Sequence, residues 1–357
     1  MAEVLALVAP GRPLREGLER VLLAKRGALV VVGDDPAVLS ICTGGFLFDA
    51  EFSPQRLSEL AKMDGAIIVS GDAVRIARAN VHLMPNSSIP TTETGTRHRT
   101  AERVARSIDV PVITVSAAMG IVTVYRGTDR HVLQPASRLH DQVSQALQAM
   151  QRFRQRFDLA VTALSVLEVE DTVTLRDVVA VLQPAELVVR ITEEIEITLV
   201  ELGADGRLLR LQLDELVDGV DDIRRLVVRD YLQPAPGLSD GARRQSDAGI
   251  CLDRLSVLST DDLLDPHQVA AVLGLEPTEV DLDAPVEPRG FRMLHRLPRF
   301  PEAVVDRIVA HFAGLQRIMR ASAAELEEVD GVGAQRARTV KDGLARLAEA
   351  NIFDRYS

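Results

Sequence analysis

Tryptophan is absent from this chain, and three tyrosines and nine phenylalanines make up an aromatic content of only 3% over 357 residues. So few rings exclude the stacking platforms on which single-stranded nucleic acids are held. The two cysteines, Cys42 and Cys251, lie far apart and match no metal-ligand spacing. A disulfide framework and a zinc ribbon are thereby excluded, and two reduced thiols in a cytoplasmic protein are expected. No run of apolar residues approaches the length of a membrane-spanning helix, so no membrane partner is expected. Glu3 precedes a short apolar run that Pro10 and Gly11 end, which does not read as a signal peptide. Neither a Walker-type phosphate loop nor a dinucleotide-binding glycine fingerprint occurs.

What is present is ordinary soluble-protein composition, 46% hydrophobic and 26% charged, at a length sufficient for two or three domains. The net charge of −11 argues against wholesale coating of nucleic acid, but it is unevenly spread. Residues 289–357 hold 12 Lys and Arg against 9 Asp and Glu, which leaves the rest of the chain at −14. A mildly basic tail thus follows an acidic body.

Residues 1–138 alternate helical and strand signals. Leu14, Leu18, Val21 and Leu22 share a helix face that Gly27 stops, and a short buried strand, ALVVVG, follows. SPQRLSELAKM reads as a helix with Ser53 as N-cap and Pro54 in its first turn. AIIVS, PVITVS and IVTVYRG read as further strands, so a sheet covered by helices, an α/β layer fold, is expected. From about 139 to 232 the pattern is helical. Leu139, Val143, Leu147, Met150, Phe153, Phe157, Val161, Leu164 and Leu167 fit one long helix, and Leu187, Ile191 and Ile195 mark another that ends at Gly203. Residues 233–249, rich in Pro, Gly and Ser, read as a linker or loop, with a helix resuming near Leu252. Residues 284–290 lead into a third segment, 289–357.

Three features of the first segment can carry chemistry. In ETGTRHRTAERVA, residues 93–105, Gly95 permits close approach of backbone to ligand, and Thr96 and Thr100 offer hydroxyls. A helix expected to begin after Thr100 would aim its free N–H groups at the same space, and Arg97 and Arg99 could bind phosphate oxygens. The alternative is a solvated basic turn neutralised by Glu93 and Glu102. Asp64, in KMDGAIIVS, stands where a helix gives way to a strand: either a structural Asp-Gly turn, or a carboxylate holding Mg²⁺ or Mn²⁺. Ser116 ends the strand VITVS and says little by itself.

MDGA at 63–66, followed some thirty residues later by GTRHRTAERVA, resembles the diadenylate cyclase family, whose members join two ATP molecules into cyclic di-AMP. GGF at 44–46, ANVHLMPNSSIPT and TVYRG extend the resemblance, and ELGADGRLLRLQLDEL carries it into the helical middle. The resemblance implies three domains: an α/β diadenylate cyclase domain with a mixed sheet flanked by helices (1–138), an all-α spine (139–288) and a C-terminal helix-hairpin-helix domain (289–357). It implies that Asp64 holds Mg²⁺ or Mn²⁺ and helps activate a ribose 3′-hydroxyl. It implies that Gly65, Ala66 and Leu83 line the nucleotide pocket, and that Thr96, Arg97, His98, Arg99 and Thr100 bind the triphosphate with Ser116 nearby. His98 stays open between a neutral structural hydrogen-bonder and a phosphate contact. Many members carry basic residues where this chain reads Ala117, Ala118 and Met119, which implies weaker hold on the triphosphate. A twofold-symmetric product implies face-to-face cyclase domains, here within a homo-octamer associated with the nucleoid.

In the tail, Val329-Asp330-Gly331-Val332-Gly333 lies between two helical segments, with Arg336, Arg338 and Lys341 on the second. This resembles a helix-hairpin-helix motif, which exposes backbone N–H groups to a DNA phosphate. Leu297-Pro298-Arg299-Phe300-Pro301 reads as its degenerate partner. Such pairs grip backbone, so salt-sensitive, sequence-independent binding of branched DNA such as recombination junctions is expected. A helical dimerisation domain is the alternative. For the whole chain, two alternatives to a cyclase remain: a catalytically silent DNA-scanning protein that senses ATP, or another nucleotidyltransferase.

Overall fold

In a computed structural model, residues 1–232, 241–274, 281–298 and 300–354 are described, with 241–247 and 350–354 as backbone only. The chain divides into two compact units, Met1–Gln145 with Glu194–Gln212, and Ala146–Glu193 with Leu213–Ser357.

The first unit is built on an eight-stranded mixed sheet: β1 Ala28–Val32, β2 Cys42–Thr43, β3 Phe46–Glu51, β4 Ala66–Val69, β5 Arg75–Leu83, β6 Val112–Ser116, β7 Ile121–Arg126 and β8 Asp129–Leu133. The order is β2-β5-β4-β1-β6-β7-β8, with β3 also on β5; β1 and β4 run parallel and the remaining pairs antiparallel. All five residues of β1 are buried because both faces of the sheet are covered, which is why the strand reads as an unbroken apolar run. Ala28, Val30 and Val32 face a core shared with α1 (Ala2–Leu7), α2 (Pro13–Leu23) and α4 (Pro54–Leu60). Leu29 and Val31 face the opposite core, which holds Val38 of α3 (Pro36–Ser40) and Ala101, Val104 and Ala105 of α5 (Thr96–Ile108).

The four strands expected from apolar runs are present, and so is the Ser53 cap, whose hydroxyl accepts from Arg56 N–H at 3.2 Å. Strands β2, β3, β5 and β8 were not expected. β5 carries Arg75, Arg78 and His82 among its residues, and Asn80 at φ +56 breaks any alternation.

The expected long helix is α6, Ala136–Glu170, and its stripe is largely buried. α7 runs Leu175–Leu202, with Pro184 inside it, and ends at Gly203. Val181, Leu182, Ala185, Val188 and Ile195 are buried along it, whereas Leu187 and Ile191 are half-buried. The helix is apolar on several sides, so periodicity picked a face neighbouring the buried one. A 3₁₀ turn, Gly203–Gly206, leads to α8 (Arg207–Val217) and α9 (Val220–Tyr231).

The expected linker over 233–249 needs correction: residues 233–240 lie outside the described residues, but α10 spans Gly241–Val257. Gly241 and Gly249 are tolerated inside or at the start of a helix when its other residues favour one. α11 (Thr260–Leu264) and α12 (Pro266–Val272) follow. The tail comprises α13 (Phe291–His295), α14 (Glu302–Phe312), α15 (Leu315–Arg320), α16 (Ala323–Glu327) and α17 (Ala334–Asp354). Two helix-turn-helix pairs, α13–α14 and α16–α17, enclose one core that includes Leu294, Val305, Ile308, Leu326, Val340 and Leu344.

Candidate functional site

The helix expected after Thr100 begins one turn earlier. Gly95 is its N-cap, with extended backbone and a carbonyl that accepts from Arg99 N–H at 2.9 Å. Thr96, Arg97, His98 and Arg99 therefore form the first turn of α5, and the N–H groups of Thr96, Arg97 and His98 have no intrahelical acceptors. Nothing acidic stands in that turn to offset the dipole.

This turn meets the start of β1, the start of β4 and the end of β5 at a pocket of about 150 Å³. Gly65, Ala66, Leu83, Thr96, Arg97 and Thr100, all expected from the sequence, line it. Leu29, Val81 and His82, which were not expected, complete it. Gly65 has φ +108, and a Cβ there would stand 2.9 Å from the backbone of Asn80, so the close approach of the two strands requires glycine. Gly27, read only as a helix stop, has a second role: a methyl group there would collide with the Arg97 guanidinium and lie 3.3 Å from Val115 O.

Asp64 stands beside the pocket with its side chain 98% exposed, and its Oδ1 accepts from Arg97 Nη2 at 3.3 Å. Residues 33 positions apart in the chain thus place a carboxylate against the cationic turn. Arg99 is exposed and forms no ion pair among the described residues. The two acids that would have made this a merely solvated basic turn are held elsewhere. Glu93 pairs with Arg130 at 2.8 Å and accepts from Tyr125 Oη at 2.9 Å. Glu102 accepts from the Thr91 hydroxyl and from Thr92 N–H, and pairs with Arg106 at 2.7 Å.

His98 points inward. Its Nδ1 lies 2.8 Å from Tyr125 Oη and 3.1 Å from Thr114 Oγ1, and burial holds its pKa below the ordinary histidine value. Burial and the bond to Glu93 push Tyr125 up to about 12, so it keeps the proton it donates. Ser116 does not line the pocket; its Oγ accepts from Met119 N–H at 3.3 Å in the turn that carries the exposed Ala117, Ala118 and Met119.

In the tail, the turn between α16 and α17 exposes Gly331 and Gly333. Arg307 Nε donates to Asp330 O at 2.7 Å and Arg336 Nη1 to Gly331 O at 2.6 Å, which pin the turn from both sides. Arg338 is exposed. Lys341 is spent otherwise than expected, since its Nζ donates to Met319 O at 2.9 Å and satisfies the C-terminal end of α15. Arg299, in the proposed partner turn, lies outside the described residues.

Residues 15–130 match the family described as DisA bacterial checkpoint controller nucleotide-binding, and residues 133–281 match the DisA bacterial checkpoint controller linker region. A DNA integrity scanning protein DisA of Kineococcus radiotolerans is 52% identical over 356 residues, covering 100% of this chain and 97% of the relative. The chain belongs to the DisA family. Proteins of the same name from Frankia alni and Streptomyces coelicolor are 51% and 49% identical, covering 99% and 100% of this chain and 96% and 94% of their own. The pocket lined by Gly65, Ala66, Thr96 and Arg97 lies within the nucleotide-binding match of the DisA family, and α6 and α7 lie within its linker match. Among the described residues, no helix of this DisA-family chain is long and apolar enough to cross a membrane.

Proposed function

We propose that this chain is a diadenylate cyclase that condenses two ATP into cyclic di-AMP and two pyrophosphates, and that its tail holds DNA as part of integrity scanning. The observation that carries the reading is the juxtaposition of Asp64 with the cationic first turn of α5 at one small notch.

Leu29, Ala66, Val81 and Leu83 offer an apolar wall for a base. The N–H groups of the first turn, the hydroxyls of Thr96 and Thr100, and Arg97 and Arg99 neutralise a triphosphate. The 3′-oxygen of one ATP attacks the α-phosphorus of the other, the bond to the β-phosphate oxygen breaks, and pyrophosphate leaves. Two such steps close the ring. In-line geometry and charge neutralisation supply most of the acceleration. A volume of about 150 Å³ is small beside ordinary ligand sites of roughly 300–1,000 Å³, which favours a half-site completed by a facing copy of itself. We extend this to the octamer expected of such a chain.

Asp64 fits a divalent cation: it is exposed, and one 3.3 Å bond to Arg97 leaves lone pairs on both oxygens. No cluster of three or more His, Cys, Asp or Glu suited to a metal occurs among the described residues, so substrate phosphates would complete the shell, as Mg²⁺ and Mn²⁺ accept. Bound there, the ion supplies Lewis-acid activation of the 3′-hydroxyl and neutralises the leaving group. His98 acts by positioning: its bond to Tyr125 ties the first turn of α5 to the sheet.

The domains are 1–138, 139–288 and 289–357, the last a helix-hairpin-helix domain. Its α16–α17 turn offers Gly331, Gly333, Arg336 and Arg338 to a phosphate backbone, with Lys341 holding α15 in place.

Purified protein incubated with ATP and Mg²⁺ or Mn²⁺ should yield cyclic di-AMP by chromatography. ATP bound but unconverted under both metals would leave a sensor instead. Asp64→Asn should reduce synthesis at least a thousandfold with unchanged circular dichroism; synthesis retained would remove Asp64 from this role.

A further inference from the structure

A cavity of about 440 Å³ opens in the second unit among α6, α9 and α13, far along the chain from the nucleotide pocket. Val161, Ile223 and Leu226 give it an apolar lining, and its volume falls in the range of small-molecule sites. Two arginines one helical turn apart, Arg292 and Arg296, stand on its wall.

Their circumstances differ. Arg292 is buried and fully engaged: Nε and Nη2 donate to the two oxygens of Glu168, and Nη1 donates to Ser165 Oγ at 3.0 Å. Arg296 has one long hydrogen bond, Nη1 to Ser165 Oγ at 3.3 Å, and no ion pair among the described residues. The buried acids nearby are committed, and Asp222, exposed on the cavity's lining, forms no ion pair with either arginine. Glu168 also accepts from Tyr231 Oη at 2.8 Å, and Asp230 accepts from the N–H groups of Gly290, Phe291 and Arg292 at 2.7, 2.7 and 2.9 Å. Partial desolvation at the cavity mouth and the charge of Arg292 hold the otherwise exposed Arg296 below its ordinary pKa. A cation next to a second cation, at the mouth of a partly apolar cavity, lacks an anion.

We propose that this cavity binds a small organic anion, with its single acidic head on Arg296 and its apolar body against Val161, Ile223 and Leu226. Asp222, in the first turn of α9, bounds the cavity as well and repels a second acidic group there. An occupant would bridge the spine helix α6 to the first helix of the tail.

Phenyl phosphate is a suitable probe, titrated calorimetrically into the full-length chain carrying Arg97→Ala, so that the N-terminal pocket does not contribute. One molecule should bind per chain. Benzyl alcohol, which keeps the ring without the charge, should bind at least tenfold more weakly. Arg296→Gln alters an exposed side chain and should weaken phenyl phosphate at least tenfold. Ile223→Trp, which fills the cavity and leaves Arg296 intact, should do the same. Unchanged affinity in either variant, or no binding to the Arg97→Ala chain, overturns the proposal.

Discussion

Arginine in the first turn of a helix opposes its dipole, at a cost of about 0.3–1 kcal/mol per charge. Arg97 recovers part of that from Asp64; Arg99 recovers none from any described residue. Arg99→Ala should therefore leave stability unchanged or raise it by about 0.5 kcal/mol in thermal unfolding, while raising KM for ATP at least tenfold. A loss of stability instead would make Arg99 a structural residue. His98 carries a second residue-scale test. Its pKa is depressed by burial, so the folded state binds fewer protons than the unfolded one between the folded value and about 6.5. Its stabilising contribution is complete above that range and is lost as pH falls through it. The difference in unfolding midpoint between the native chain and His98→Gln should narrow between about pH 7.5 and pH 5.5, and the imidazole should titrate below 6.5 by NMR. The sequence pointed to Asp64, Arg97 and most of the pocket lining. It did not point to Gly27, Val81 or His82, whose roles come from what lies opposite them.

At the scale of elements, buried strands with apolar runs and helices with strong caps were legible, and edge or polar strands were not. β3 is exposed along most of its length, and β5 mixes arginines and histidine with buried alanines and isoleucine. Their pairing, not their composition, makes them strands. The start of α5 was misplaced by one turn because arginine and histidine are neutral as start signals, and only the extended backbone of Gly95 marks the cap. The sequence likewise gave no sign that Glu168 and Arg292, 124 residues apart, would meet in the interior of the second unit. Both are essentially excluded from solvent, so the pair's net worth is small, but breaking it strands a charge. Glu168→Ala should cost about 3–5 kcal/mol by chemical denaturation. Glu168→Ala combined with Arg292→Met should cost clearly less than the single change.

For the whole molecule, the relevant quantity is how charge is distributed between an acidic body and a basic tail. Binding carried by the α16–α17 turn must depend steeply on salt, because each neutralised phosphate releases counterions. Arg338→Ala should weaken binding to branched and linear duplexes alike and lower the slope of log K against log salt by about one. Fluorescence anisotropy across a salt series checks this, and an unchanged slope would move the contact elsewhere.

The sequence alone determined the α/β class of the first region and the helical class of most of the rest, the cationic turn and the glycine-rich hairpin, and it singled out Asp64, because these depend on local spacing and residue chemistry. Only the tertiary structure decided which charges are free. Glu93 and Glu102, near neighbours of Arg97 and Arg99 in the chain, are drawn to Arg130, Tyr125, Thr91 and Arg106, while Asp64 arrives from a distant loop. Hydrogen-bond partnership is settled by three-dimensional proximity in a low-dielectric interior. Sequence distance therefore could not show that the turn would be left waiting for an anion.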